Sequence, residues 1–163
     1  MHRYTKPLLA AFATACLATA CSTTPPPAPE PAPPAPASFD HTLSGDALFA
    51  FGKASVANLS DAGRAELDAL AARVLATPGI DMVHVIGHSD RIGNATVNQR
   101  ISQQRADSVA EYLSSKGVYP ELISTEGRGA SEPLVDCDKE RGQRLIECLA
   151  PNRRVEIQVQ FGS

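Results

Sequence analysis

Apolar and polar positions change rhythm several times along the chain. Leu67, Leu70, Ala71 and Val74 recur at three- and four-residue intervals, the spacing of one helical face. Ser60 stands where an N-cap belongs, Asp61 falls in the first turn, and Thr77-Pro78-Gly79 ends the pattern. Met82 to His88 is a short apolar run that predicts a buried strand. A second helix is expected from about Ala95 to Lys116, closed by Gly117. Ile123 to Gly127 predicts a third strand, Lys139 to Leu149 a short helix, and Asp46 to Phe51 an early strand. In the final strand, Arg153 to Phe161, the apolar Val155, Ile157, Val159 and Phe161 alternate with Arg154, Glu156, Gln158 and Gln160. That alternation predicts one face in the core and one in solvent. Strands alternating with helices give an α/β domain, a sheet covered by helices.

Four polar residues stand against this pattern. At about 100° per residue, Asn98 and Arg105 fall in the middle of the stripe formed by Ile101, Val109, Tyr112 and Leu113. A guanidinium on a core-facing stripe is costly unless paired, and it stays charged. Something anionic must therefore meet Arg105, either a protein carboxylate or a ligand. Asp90 lies just past the strand that ends at His88, where ligands of open α/β sheets gather. On spacing alone, Asp90 with Arg105 reads first as an internal ion pair. Parity places Arg153 on the apolar side of the last strand, a second cation near the mouth of the sheet, and Arg154 on the outer side.

The N-terminal part has a different composition. Residues 1–20 carry His2, Arg3 and Lys6, then the apolar run Leu8 to Ala13, then Leu17-Ala18-Thr19-Ala20, the make-up of a secretory signal. Leu17-Ala18-Thr19-Ala20-Cys21 resembles the lipobox of bacterial lipoproteins. That resemblance implies cleavage before Cys21, acylation of its thiol and, with Ser22 following, sorting to the outer membrane. Eight of the 13 prolines fall between Ser22 and Ser38. Such a stretch cannot build a core and favours extended polyproline II, with a reach of roughly 50 Å. The expected organisation is a signal peptide over 1–20, an acylated cysteine and linker over 21–38, and a folded domain over 39–163. The balance of 15 Lys+Arg against 18 Asp+Glu argues against nucleic acid as a partner.

Within the folded part, Gly87-His88-Ser89-Asp90-Arg91-Ile92-Gly93 is followed by Asn98, by Ile101-Ser102-Gln103-Gln104-Arg105-Ala106, by Val109-Ala110-Glu111-Tyr112-Leu113 and by Gly117-Val118. The tail contains Asn152-Arg153-Arg154-Val155-Glu156-Ile157. In this order the motifs resemble the OmpA-like peptidoglycan-binding domains. They are similar to the periplasmic domain of outer-membrane protein A, which shares the placement of Cys137 and Cys148, and to the peptidoglycan-associated lipoproteins. The resemblance implies a two-layer β/α sandwich with a mixed sheet of about four strands. It also implies a domain that holds the cell-wall stem peptide without cutting it. Carried over to this chain, Asp90 and Arg105 grip the zwitterionic end of diaminopimelate, Asn98 faces the ligand, and Arg153 binds ligand or braces Asp90. Gly52 departs from the Asp or Asn that many members carry in the first-strand motif.

Other chemistry has little support. With Cys16 in the signal and Cys21 acylated, Cys137 and Cys148 remain in an oxidising periplasm. A disulfide between them would stabilise by about 2–3 kcal/mol and brace the loop before the last strand. His84 and His88 share a strand face but lie about 13 Å apart in extended chain, too far to share a metal. His88-Ser89-Asp90 has the residue types of a hydrolase triad, but neighbouring strand residues point to opposite faces. Gly127-Arg128-Gly129 lacks the third glycine of a dinucleotide fingerprint. No catalytic residue, metal or cofactor is expected. The expected role is an outer-membrane lipoprotein tethered to peptidoglycan. The alternative is an envelope assembly lipoprotein whose domain contacts a protein complex of the Tol or secretion type.

Overall fold

Strand β1 (Ser38–Ser44) opens the domain and leads directly into one helical turn, α1 (Gly45–Leu48). The computed structural model describes residues 38–49 and 52–162. The expected signal peptide, Cys21 and the linker as far as residue 37 lie outside the described residues, as do Ala50 and Phe51. Helix α2 (Asp61–Ala76), strand β2 (Ile80–Gly87), helix α3 (Ala95–Ser115) and strand β3 (Ile123–Gly127) follow. Helix α4 (Gly142–Cys148) and strand β4 (Arg154–Phe161) complete the order. The sheet runs β1-β4-β2-β3. β4 is antiparallel to both β1 and β2, and β2 and β3 are parallel, joined by α3. This is the mixed four-stranded α/β sheet expected from the sequence.

One face of the sheet carries the core. Val83 and Val85 of β2, Val155, Ile157 and Val159 of β4, and Leu43 of β1 meet Leu67, Leu70 and Val74 of α2 and Ala106, Val109 and Leu113 of α3. Ser60 caps α2 by accepting from Gly63 N–H at 2.9 Å, and Asn94 caps α3 by accepting from Thr96 and Val97 N–H. The ends of β2 and β3 touch the backbone of α3. A Cβ on Gly87 would lie 2.8 Å from the carbonyl carbon of Ser102, and one on Gly127 would lie 2.7 Å from Gln103 Cα. Glycine at these two places lets the helix lie directly on the strands.

Two expectations need correction. The early strand expected from Asp46 does not form over its described part: Asp46 to Leu48 lie in the turn of α1, and Phe49 makes an isolated antiparallel bridge with Leu59. Ser44 is the reason, since its side chain caps the turn at Ala47 N–H and Asp46 sits in its first turn. The first strand is instead β1, which includes Ser38 of the expected linker. The second correction concerns the far face of β4. Arg154 is buried (4 % exposed), not solvated. Its Nε donates to Glu156 at 2.6 Å and its Nη1 to Glu132 O at 3.2 Å, because the loop after β3 folds back over this end of the sheet. Arg153, for its part, precedes β4 and follows a 3-10 turn (Ala150–Asn152), so strand parity does not govern it.

His84 and His88 also lie on the far face, each beside a different carboxylate. His84 Nε2 is 3.3 Å from Glu126 and His88 Nε2 is 3.7 Å from Glu156. His88 is fully buried, and neither ring nitrogen has a hydrogen-bond partner among the described residues. Burial, reinforced by Arg154, pushes its pKa below the ordinary value, while Glu156 and Glu132 oppose the shift. The unfolded chain therefore binds a proton that the folded domain resists. Stability from this group is complete above the unfolded pKa of about 6.5 and is lost as pH falls below it. Urea unfolding from pH 7.5 to 5 should show falling stability, and His88→Gln should flatten that slope. An equal slope in both proteins would assign the acid sensitivity elsewhere.

Candidate functional site

The site lies where β2 ends, between the β2–α3 loop, α3, α1 and the segment before β4. Asp90, Asn98, Arg105 and Arg153 line one cavity of about 180 Å³, so all four residues singled out in the sequence come together. Their roles differ. Asp90 is 9 % exposed and is held at both oxygens: Oδ1 accepts from Ile92 N–H at 2.8 Å and Oδ2 from Arg153 Nη1 at 2.7 Å. Asn98 donates from Nδ2 to Asp90 O and Ile92 O at 2.9 and 3.0 Å, clamping the loop that carries the carboxylate. Ser89 Oγ lies 3.4 Å from Asp90 O, and Asp90 pairs with Arg153, so His88, Ser89 and Asp90 do not converge as a triad.

Arg153 is held by protein partners. Besides Asp90 it meets Asp46 at 2.6 Å, and its Nη1 also donates to Ile146 O at 3.1 Å. Its hydrogen bonds to the Asp46 carboxylate hold this guanidinium above its usual pKa. Asp46 was not among the residues singled out in the sequence. The signal was present in Ser44-Gly45-Asp46, a cap followed by an acidic first turn, but it was hidden by the apolar run after it.

Arg105 has no such pairing. It is 4 % exposed, and its Nε donates to Lys53 O at 3.2 Å. Its guanidinium carbon is 5.6 Å from the Phe49 ring. No salt bridge among the described residues includes it, since Arg153 takes both Asp46 and Asp90. Burial pulls its pKa down from the ordinary value, and the charge of Asp46 works against that pull. The internal Asp90–Arg105 ion pair is therefore absent, and Asp90 pairs with Arg153 instead. The cavity holds two guanidinium groups and two carboxylates, a formally neutral set whose Arg105 lacks a carboxylate partner. Such a site suits a ligand end with one carboxylate and one ammonium group.

A profile of the OmpA family matches residues 48–146. The chain belongs to the OmpA family. Outer membrane protein A of Yersinia pseudotuberculosis is 45% identical over 123 residues, 73% of this chain and 34% of that protein. Outer membrane protein P5 of Haemophilus influenzae is 44% identical over 121 residues, 72% of this chain and 33% of that protein. The chain thus spans about a third of the length of these two OmpA-family relatives. Among solved structures, the cell wall anchor of the T6SS from Pseudomonas aeruginosa is 32% identical with a TM-score of 0.63, over 77% of this chain and 82% of that one. The peptidoglycan-associated lipoprotein from Burkholderia pseudomallei shares the fold, with a TM-score of 0.57 and 24% identity over 70% of this chain and 88% of that one. The OmpA-like β/α sandwich expected from the motifs is the fold observed.

Proposed function

We propose that this chain is a non-catalytic outer-membrane lipoprotein whose OmpA-like domain binds the diaminopimelate-containing stem peptide of peptidoglycan and tethers the membrane to the wall. The observation that carries this reading is the buried Arg105, without a carboxylate partner among the described residues, in the cavity that also holds Asp90. The free end of diaminopimelate bears an ammonium and a carboxylate. Asp90 keeps lone pairs for the ammonium, and Arg105 forks onto the carboxylate. Arg153 acts as the brace that keeps Asp90 aimed. Asn98 keeps its Oδ1 for a ligand N–H while its Nδ2 holds the loop.

The path of the chain supports a tether. β1 starts at Ser38, beside Gln160, and ends at Ser44, beside Arg154 and next to Asp46 of the cavity. The polypeptide thus enters the domain about 20 Å from the pocket, at the opposite end of the sheet. A linker of roughly 50 Å reach behind that entry point would let the pocket face away from an acylated Cys21. Many modest attachments held near the wall then add up to a strong link.

The test is fractionation of the full-length chain and Cys21→Ala with diaminopimelate-containing sacculi and with lipid vesicles. Both proteins should pellet with sacculi, and a soluble diaminopimelate muropeptide should release them. Only the acylated protein should float with vesicles. Failure to pellet would remove wall binding and leave the alternative, a protein complex of the envelope. Flotation of Cys21→Ala would remove the lipid anchor.

A further inference from the structure

One wall of the cavity is not accounted for by the charged residues. Ile92, Ile101 and Ile146 line it, the last from α4. α4 is seven residues long, has no side-chain cap at Arg141 and contains no buried residue. A helix this short and this exposed has little stability of its own. Its position comes from ties at several points. The Cys137–Cys148 disulfide spans it, with a sequence separation of 11. Ile146 O accepts from Arg153, the residue that holds Asp90. Arg91, next to Asp90 in sequence, donates to Asp136 O at 3.2 and 2.9 Å and lies 3.6 Å from Asp138. Behind these, the buried Asn152 accepts from Leu134 and Val135 N–H and donates to Val135 O.

We infer that the segment closed by the Cys137–Cys148 disulfide is a wall of the ligand pocket, with Ile146 packing against the aliphatic part of the ligand. The disulfide is the positioning element that keeps this wall in place. The inference rests on the pocket taking a zwitterionic amino-acid end, as proposed above. In such a ligand a hydrocarbon chain lies behind the charged groups. Asp90 and Arg105 fix the charges, and the three isoleucines give the chain an apolar surface to cover. Bracing of the loop, the role expected from the cysteines, is then only half of what the disulfide does.

Binding becomes sensitive to redox state. An added dithiol passes two electrons and two protons to the Cys137–Cys148 bond; that S–S bond breaks to two thiols, and the reagent closes into a disulfide of its own. The short helix then loses its covalent closure beside the pocket. The sheet and α2 contain neither cysteine, so the core persists while the wall loosens.

The test is titration of the full chain with a soluble muropeptide ending in diaminopimelate. Wild type with and without dithiothreitol would be compared with Ile146→Ala, Ile146→Leu, Asp90→Ala and the double variant Cys137→Ser/Cys148→Ser. Circular dichroism and melting would be followed for each. Ile146→Ala should weaken binding roughly tenfold with the fold intact, and Ile146→Leu should keep most of the affinity. Reduction should weaken wild type several-fold and leave the double variant unchanged, since it lacks the bond. A purely structural disulfide would lower the melting temperature and leave the affinity of the folded protein untouched. That result, together with Ile146→Ala binding like wild type, overturns the inference while Asp90→Ala still fails to bind. If wild type itself fails to bind, the reading of the pocket falls and the inference falls with it. If the double variant does not fold, the Ile146 variants and the reduced wild type decide.

Discussion

Arg105→Ala should abolish sedimentation with sacculi while the domain stays folded. The guanidinium is buried, yet among the described residues its hydrogen bond is to a single carbonyl, Lys53 O, and Asp46 and Asp90 are occupied by Arg153. Removing it leaves a ligand carboxylate desolvated without a partner, which costs on the order of 2–5 kcal/mol of binding. Stability should respond differently. An unpaired buried charge is a burden on the free protein, and its removal relieves desolvation while freeing only the Lys53 carbonyl. The volume-conserving Arg105→Met should therefore change unfolding free energy by less than about 1 kcal/mol. Arg153 is the opposite case, because its ion pairs are internal. Unfolding of the domain by Arg105→Met would show that Arg105 serves the fold, and sacculus binding by Arg105→Ala at wild-type strength would remove it from the site.

Gly87→Ala should be the most damaging single methyl group in the domain. The new Cβ would meet the carbonyl carbon of Ser102 at 2.8 Å and its oxygen more closely still. Both partners are backbone, one in the central strand β2 and one in α3, so no side chain can swing aside. Either the helix lifts from the sheet or the strand bends, and the core between Val85 and Ala106 opens. Overpacking of this kind costs at least about 3 kcal/mol. Gly79 is a useful control. It has φ +80° with open space around its Cβ position, so alanine there strains only the backbone and should cost about 1 kcal/mol. Urea unfolding of the two variants separates these effects. Equal small losses would mean that α3 can shift at little cost.

Much of the fold was legible because its signals are local. The stripe of Leu67, Leu70 and Val74, the cap at Ser60 and the alternation from Val155 to Phe161 each repeat within a few residues, and each element formed where its period predicted. β1 escaped because it adjoins a proline-rich stretch and carries mostly polar residues around Phe39 and Leu43. Arg154 was misplaced because parity says which way a side chain points but not what later folds over it. The loop containing Glu132 does so, and a solvent position became a buried ion pair.

The sequence by itself determined the α/β class, the elements that form the core, and the two residues whose placement conflicts with a plain core, Asn98 and Arg105. The end of the strand before it pointed to Asp90, and the family motif gave that residue a ligand role. Only the tertiary structure decided how the charges divide. Asp46 and Arg153 are 107 residues apart, and their pairing follows from β1 and β4 being neighbours. That pairing turns Arg153 into the brace of Asp90 and leaves Arg105 without a carboxylate among the described residues. Nothing in the spacing of Asp90 and Arg105 could reveal it. Periodicity reports which face a residue occupies within its own element, whereas a salt bridge depends on which elements the packed sheet brings side by side.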